Sequence, residues 1–431
     1  MADRTFLRGG RVIDPASDAE GIVGILIEDD TIAVVGEDAP AAATVLDCDG
    51  LIVAPGLVDL HAHLRQPGRE DKETVETGCR AAAAGGFTAV AAMANTDPVA
   101  DHVGVIQEVR GLAAQAGLCD VFPVAAITQG LAGEALAEMG ELAAAGVRMF
   151  SDDGHCVPTA RQLRMALQYA QAFDVLIAEH CEDASLADGA QMHEGYSSAT
   201  FGLAGSPAEA EEIIVARDLA LARLTHGRLH LCHLSSAASV ELVRRAKASG
   251  LRVTAEVTPH HLVFVDEDLS TYDTNLKVNP PLRSVDDRDA LRAGLADGTI
   301  DAVATDHAPH AVEDKEAEFD HAPPGTIGLE TALAAVLTEL VEPGKLPLTR
   351  AIEALSTTPA RILGVSDHGG PVAGGRPANL TVFDPAAEWT VEPPFASRSR
   401  NSAFLGKRLR GRVVYTLLRG ELTVADGKPT R

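Results

Sequence analysis

The stretch Pro55-Gly56-Leu57-Val58-Asp59-Leu60-His61-Ala62-His63-Leu64-Arg65 decides how this chain is read. A short apolar run follows a Pro-Gly turn and ends in two histidines spaced i, i+2. Alternate residues of a strand point the same way, so both imidazoles face a common point at the strand's C-terminal end. Imidazole suits zinc and neighbouring divalent metals.

Downstream of this stretch the pattern repeats. Apolar runs at 57–60, 88–92, 121–127, 147–150, 175–178, 229–231, 252–257 and 302–304 alternate with Ala-rich amphipathic segments at 73–84, 131–145, 160–172, 208–224, 238–248 and 286–295. Gly85, Gly146 and Gly250 close three of those segments, as helix C-caps do. Continuous apolar strands alternating with helices predict a parallel sheet covered on both faces. Eight runs favour a closed α/β architecture, a (β/α)₈ TIM barrel, over an open doubly wound sheet. Two further helical segments, 332–341 and 348–355, are expected outside it.

Upstream of Gly56 the texture is different. Short runs at 5–7, 21–28 and 31–35 alternate with Gly, Asp and Pro, the signature of strands and turns. The same texture returns after Gly364, with strands expected at 378–384, 390–391 and 412–419. The simplest architecture joins both chain ends in one small β-sandwich-like domain. The expected boundaries are 1–53 and 366–431 for that domain and 54–365 for the barrel. With 46% apolar residues and only 4% aromatic ones, the core is expected to consist of aliphatic layers.

The formal net charge is −26. Nucleic acid and anionic membrane surfaces need basic patches, so neither is expected as a partner. The six cysteines, Cys48, Cys79, Cys119, Cys156, Cys181 and Cys232, are scattered and form no CxxC pair, which reads as reduced thiols. No apolar leader or membrane-length run is seen, and a cytoplasmic location is expected.

Further polar residues end other runs. Asp152 and Asp153 follow the fourth, His180 the fifth, His233 the sixth and Asp306 the eighth. The C-terminal ends of parallel strands are where barrel active sites are built. Any one of these residues alone reads as an ordinary strand-end polar group. Jointly, four imidazoles and two carboxylates exceed what one catalytic zinc takes. Two ions sharing a carboxylate and a bridging hydroxide account for the number, with an aspartate nearby to carry protons. Which of Asp152 and Asp153 bridges stays open at this point.

This pattern resembles the metal-ligand pattern of the amidohydrolase superfamily, and within it the bacterial dihydroorotase family. The resemblance spans nearly the whole chain, including Gly374-Gly375-Arg376-Pro377-Ala378-Asn379-Leu380 near its end. It is carried by His61-Ala62-His63-Leu64-Arg65, Met93-Ala94-Asn95-Thr96, Lys277-Val278-Asn279-Pro280-Pro281-Leu282-Arg283 and His307-Ala308-Pro309-His310. The family interconverts N-carbamoyl-L-aspartate and L-dihydroorotate in pyrimidine biosynthesis.

The resemblance implies two divalent metals, with zinc the expected ion, held by His61, His63, Asp153, His180, His233 and Asp306. Asp306 would also be the general acid and base. His63, Arg65, Asn95, Asn279, His310 and the backbone at Pro324 and Gly325 would contact the substrate. For Arg65 an independent argument exists, because a carboxylate ligand is best matched by a guanidinium fork. Many superfamily members bridge their metals with a carboxylated lysine after strand four. The segment Met149-Phe150-Ser151-Asp152-Asp153-Gly154 has none, and resemblance to one dihydroorotase branch assigns the bridge to Asp153.

Two alternatives stand beside this reading. One is a related hydantoinase or allantoinase, against which Arg65, Asn95 and His310 argue. The other is an inactive scaffold for aspartate transcarbamoylase, which missing ligands would mark; none is missing. Partners implied by the resemblance are a small-molecule substrate and either a homodimer or a complex with aspartate transcarbamoylase. His260, His261, Cys181 and Cys232 read as packing or supporting groups. The charged stretch 314–318 reads as a solvated loop whose position permits a lid.

Overall fold

The structure, a computed structural model, describes residues 4–36 and 43–431. Its centre is two parallel sheets. One has three strands, Leu57–Ala62, Phe87–Ala92 and Asp120–Pro123; the other has five, Met149–Phe150, Leu176–Glu179, Leu229–Leu231, Val253–Val257 and Ala302–Val303, in chain order. Isolated parallel bridges join them at both edges, Ala125 to Phe150 and Ala62 to His307. Each strand therefore neighbours the next one in sequence, and the last neighbours the first.

The helices between these strands start where the sequence supplies a side-chain acceptor. Thr74, Thr159, Ser236 and Ser284 each accept from a backbone N–H of the first turn of Val75–Ala84, Ala160–Gln171, Ala237–Ala248 and Val285–Asp297. Each cap satisfies a donor that the helix leaves orphaned, worth about 1 kcal/mol. The inward apolar faces, such as Leu163, Ala166, Leu167 and Ala170, are fully buried.

Among the described residues, both chain ends contribute strands to one nine-stranded sheet. Leu380–Thr390 pairs antiparallel with Ile52–Pro55, bringing Val382 opposite Val53. The seam thus lies between a strand at the entrance to the helical region and one that follows it.

Several local expectations are corrected. A helix spans Val103–Ala116, where none was expected. Gly104 and Gly111 weaken its intrinsic propensity, and burial of Val105, Ile106, Val109 and Ala113 holds it instead. The helix expected over 131–145 is confined to Met139–Ala144, because Gly130, Leu131 and Gly133 all take left-handed backbone angles. The strand expected over 121–127 stops at Pro123. Beyond it the backbone N–H groups of Ile127 and Thr128 turn to the carboxylate of Asp152. The segments 332–341 and 348–355 are helical, but each relaxes into a π-turn, at Leu337–Val341 and Glu353–Thr357.

The aliphatic layers exist: Val58, Leu60, Ala89, Ala91, Leu176, Ala178, Ala302 and Ala304 form one buried cluster. They are not the whole interior. Asp59, His230 and Glu256 are also fully buried within the strands. No helix among the described residues is long and apolar enough to cross a membrane, and all six cysteines are free thiols.

Candidate active site

Four imidazoles converge on one carboxylate. Asp153 Oδ2 lies 3.2 Å from His61 Nε2 and 3.4 Å from His63 Nε2. Its other oxygen, Oδ1, lies 3.1 Å from His233 Nε2 and 3.3 Å from His180 Nδ1. Asp306 Oδ1 joins the first group, 3.1 Å from His63 Nε2 and 3.7 Å from His61 Nε2. Two donor sets therefore share Asp153: His61, His63 and Asp306 on one side, His180 and His233 on the other. His61 Nε2 is buried and has no hydrogen-bond partner. A buried, unpartnered imidazole nitrogen aimed at two carboxylates fits a site that holds a cation.

The backbone helps aim these groups. Arg65, His233 and Asp306 all have positive φ, of 60°, 29° and 45°. That region costs a non-glycine residue about 1–3 kcal/mol and collects at functional sites. His233 and Asp306 follow strand ends and turn their side chains toward the common point, while Arg65, beyond the end of the first strand, turns Nε to the Pro309 carbonyl. Burial would raise the Asp153 carboxyl, but the imidazoles of His61, His180 and His233 hold it well below the usual range. Asp306 is likewise lowered against its burial, chiefly by His63. Both are carboxylates at neutral pH, as cation ligands must be.

Known proteins resemble this chain over most of its length. The sequence profile described as Dihydro-orotase-like matches residues 50–239. The chain is 51% identical to a dihydroorotase of Streptomyces coelicolor, over 99% of this chain and 100% of that one. It is 52% identical to a dihydroorotase of Mycobacterium tuberculosis, over 94% of this chain and 96% of that one. The chain belongs to the dihydroorotase family. Among solved structures, the L-hydantoinase of Arthrobacter aurescens superposes with a TM-score of 0.89 at 26% identity, covering 100% of this chain and 98% of that one. The D-hydantoinase of a Thermus species gives 0.82 at 26% identity, covering 99% and 96%.

In this dihydroorotase-family chain the residues expected to contact a substrate lie around the same point. Arg65 engages the Pro309 carbonyl through Nε, 3.1 Å away, and not through its two terminal nitrogens. Burial brings its pKa down to about 10, so it remains a cation. Asn95 supports His63, accepting from its Nδ1–H at 2.9 Å, so only the amide NH₂ end is left to donate. Asn279 Nδ2 approaches His180 Nε2 at 3.4 Å. Beside it opens a cavity of about 360 Å³ lined by Glu182, Gln191, Lys277, Asn279, Pro281 and Pro324.

His310 is more engaged than its sequence position implied. Nε2–H donates to the Pro324 carbonyl at 2.9 Å, and Lys72 Nζ donates to Nδ1 at 3.4 Å. Burial, with Arg65, Lys315 and Lys72 nearby, pushes its pKa down to about 3. It is therefore a neutral ring. The stretch 314–318 is not wholly solvated. Asp314 pairs with Lys72 at 2.7 Å. Lys315 is buried and donates to the carbonyls of Pro323 and Gly325, each at 2.9 Å. His261 holds the Asn279 loop, Nε2–H donating to the Pro280 carbonyl at 2.9 Å. Burial holds the thiols of Cys181 and Cys232 protonated.

Sequence reading missed the groups behind the imidazoles. Glu256 accepts from His61 Nδ1–H, and Asp59 accepts from the Thr305 backbone, each at 2.9 Å. Glu73 accepts from His307 Nε2–H at 3.2 Å. For Asp59 and Glu256 the signal was present, a charged residue inside a run otherwise suited to a buried strand; Glu73 opens a segment read as helical and carried no such signal.

Proposed function

We propose that this chain is a two-metal cyclic-amide hydrolase that interconverts L-dihydroorotate and N-carbamoyl-L-aspartate. The observation that carries the reading is the sharing of Asp153 between two sets of imidazoles, with His63 and Arg65 on the segment that directly follows the strand carrying His61. We read the eight parallel strands as a closed (β/α)₈ barrel, with a small β-domain formed by 1–53 and 366–431 around the barrel of 54–365.

His61, His63 and Asp306 would hold one divalent ion, His180 and His233 the other, and Asp153 would bridge them. Imidazole and carboxylate donors without a thiolate suit zinc. Bound there, the ions would lower the pKa of a water and polarise the ring carbonyl. Asp306 takes a proton from the attacking water. It returns that proton to the ring nitrogen as the carbon–nitrogen bond breaks, giving the carboxylate and ureido groups of carbamoyl aspartate. In the cyclising direction Asp306 takes the proton from the ureido nitrogen. The Arg65 fork, aided by the Asn95 amide and the neutral His310 ring, receives the carboxylate common to both compounds. Asn279 and the backbone at Pro324 and Gly325 line the ring.

The likeness to hydantoinases makes hydantoin and dihydrouracil the comparison substrates. The metal-loaded protein is expected to turn over dihydroorotate and carbamoyl aspartate, to lose activity on chelation, and to regain it with zinc. Equal turnover of hydantoin and dihydroorotate would overturn the substrate assignment. Full activity without metal would overturn the mechanism.

A further inference from the structure

His61 has two ring nitrogens, and only Nε2 faces the carboxylates of the site. On the opposite side of the ring a chain of hydrogen bonds runs through the strands. His61 Nδ1–H donates to Glu256 Oε1 at 2.9 Å. His230 Nε2–H donates to Glu256 Oε2 at 2.9 Å. The hydroxyl of Thr254 lies 2.8 Å from His230 Nδ1. His61, Glu256 and His230 are all at most 1% exposed.

The placement follows from strand geometry. Thr254 and Glu256 are spaced i, i+2, so they share a face of Val253–Val257. His230 lies in register with Thr254 and with Ala178 on its two sides, and Glu256 lies in register with Ala302. The polar chain is therefore set among alanines. Packing does not account for it, since apolar residues of similar volume commonly replace a buried ionic pair at no loss of stability. Charge balance within the site does not require it either, because Asp153 and Asp306 already face the imidazoles.

We infer that Glu256 and His230 are positioning residues that fix the tautomer and orientation of His61, and so set how tightly the ion on its side of Asp153 is held. The inference rests on the proposal that His61 is a metal ligand. With Nδ1–H committed to Glu256, the lone pair must sit on Nε2, aimed at Asp153 and Asp306. With its second oxygen held by His230, Glu256 cannot rotate away. It is also kept from leaving the imidazole to bind the ion itself. The need for such restraint is concrete: His61, Cys232 and Glu256 offer ligand atoms within 4.8 Å of one another, an alternative cluster that the committed hydrogen bonds occupy. Partners of this kind, one bond removed from a metal, typically change its affinity 10- to 100-fold when lost.

The test compares wild type with Glu256→Gln, His230→Gln and the reference His61→Ala. Each zinc-loaded protein is titrated with a chelator, and the melting temperature of each metal-free protein is recorded. Glu256→Gln is expected to release one ion about 10- to 100-fold more readily while keeping the other. His230→Gln should show a smaller loss in the same ion. The metal-free proteins should melt close to wild type, KM should be unchanged, and excess zinc should restore kcat. Wild-type affinity for both ions in both variants would overturn the inference. So would equal loss of both ions together with the metal-free fold. If Glu256→Gln does not fold, His230→Gln and Thr254→Val decide by the same criteria. If His61→Ala holds as much zinc as wild type, the metal-site proposal fails. If His61→Ala loses an ion and Glu256→Gln does not, only the positioning role fails.

Discussion

Asp152 and Asp153 are adjacent in the chain and face opposite ways. Asp153 reaches His61 and His233 at 3.2 and 3.1 Å. Asp152 turns back to accept from the N–H groups of Ile127 and Thr128 at 2.8 and 2.9 Å, and from the Thr128 hydroxyl. One closes a loop while the other faces the imidazoles.

Asp153→Asn is therefore expected to lose zinc and activity together. Asp152→Asn should keep its zinc and lose about 1–3 kcal/mol of stability, because a charged acceptor is replaced where two backbone donors are buried. Metal analysis and thermal melts of the two variants check this. Zinc loss in Asp152→Asn with retention in Asp153→Asn would reverse the assignment.

Substrate choice should depend on Arg65. Arg65→Met removes the guanidinium fork and keeps an apolar stem. Losing a charge-assisted pair in a desolvated site costs about 2–5 kcal/mol. That is a fall in kcat/KM for dihydroorotate of roughly 30-fold to several thousand-fold. Zinc content should not change. Dihydrouracil, which lacks the carboxylate, should be a poor substrate for wild type and no worse for the variant.

Gly325 has φ of 138°. A Cβ there would lie 2.8 Å from His310 Nε2 and 2.9 Å from Ala308 Cβ. Gly325→Ala should push His310 off the Pro324 carbonyl and displace the loop. Steady-state kinetics should show kcat/KM down by about tenfold to a hundredfold, in the range of a 1 Å misplacement. Zinc content should hold, since no proposed ligand is touched. Unchanged kinetics would mean that this loop does not contact substrate.

Glu330 supplies a pH signature away from the imidazoles. It accepts from the backbone of Ala396 and Ser397, and burial raises its pKa from 4.5 to about 7. The folded state thus binds a proton more tightly than the unfolded one. The stability this group contributes is complete below about pH 4.5 and is lost as pH rises through 7. Glu330→Gln should remove that dependence. The stability of the variant relative to wild type should rise between pH 5 and 8, by at most about 3 kcal/mol. Parallel melting curves at the two pH values would refute the burial argument.

Much of the candidate site was legible because it is local to strand ends. His61-Ala62-His63, His180, His233 and Asp306 each close an apolar run, and parallel strands place those ends together whatever the loops do. The same logic gave the alternation of strands and helices. What spacing could not give was direction. Asp152 and Asp153 are equivalent by position, and only the backbone donors of Ile127 and Thr128 separate them. The helix Val103–Ala116 was hidden by Gly104 and Gly111, whose cost to the helix is offset by burial that no local pattern reveals.

The sequence by itself determined which residues can meet, because strand periodicity and the order of elements are written in the chain. Only the tertiary structure decided which atoms do meet. His61 and Glu256 are 195 residues apart, and nothing near either one names the other. Their contact depends on the register between strands and on which face of each strand turns inward. Those are properties of the packed whole, set by apolar burial together with the pairing that most buried donors and acceptors require.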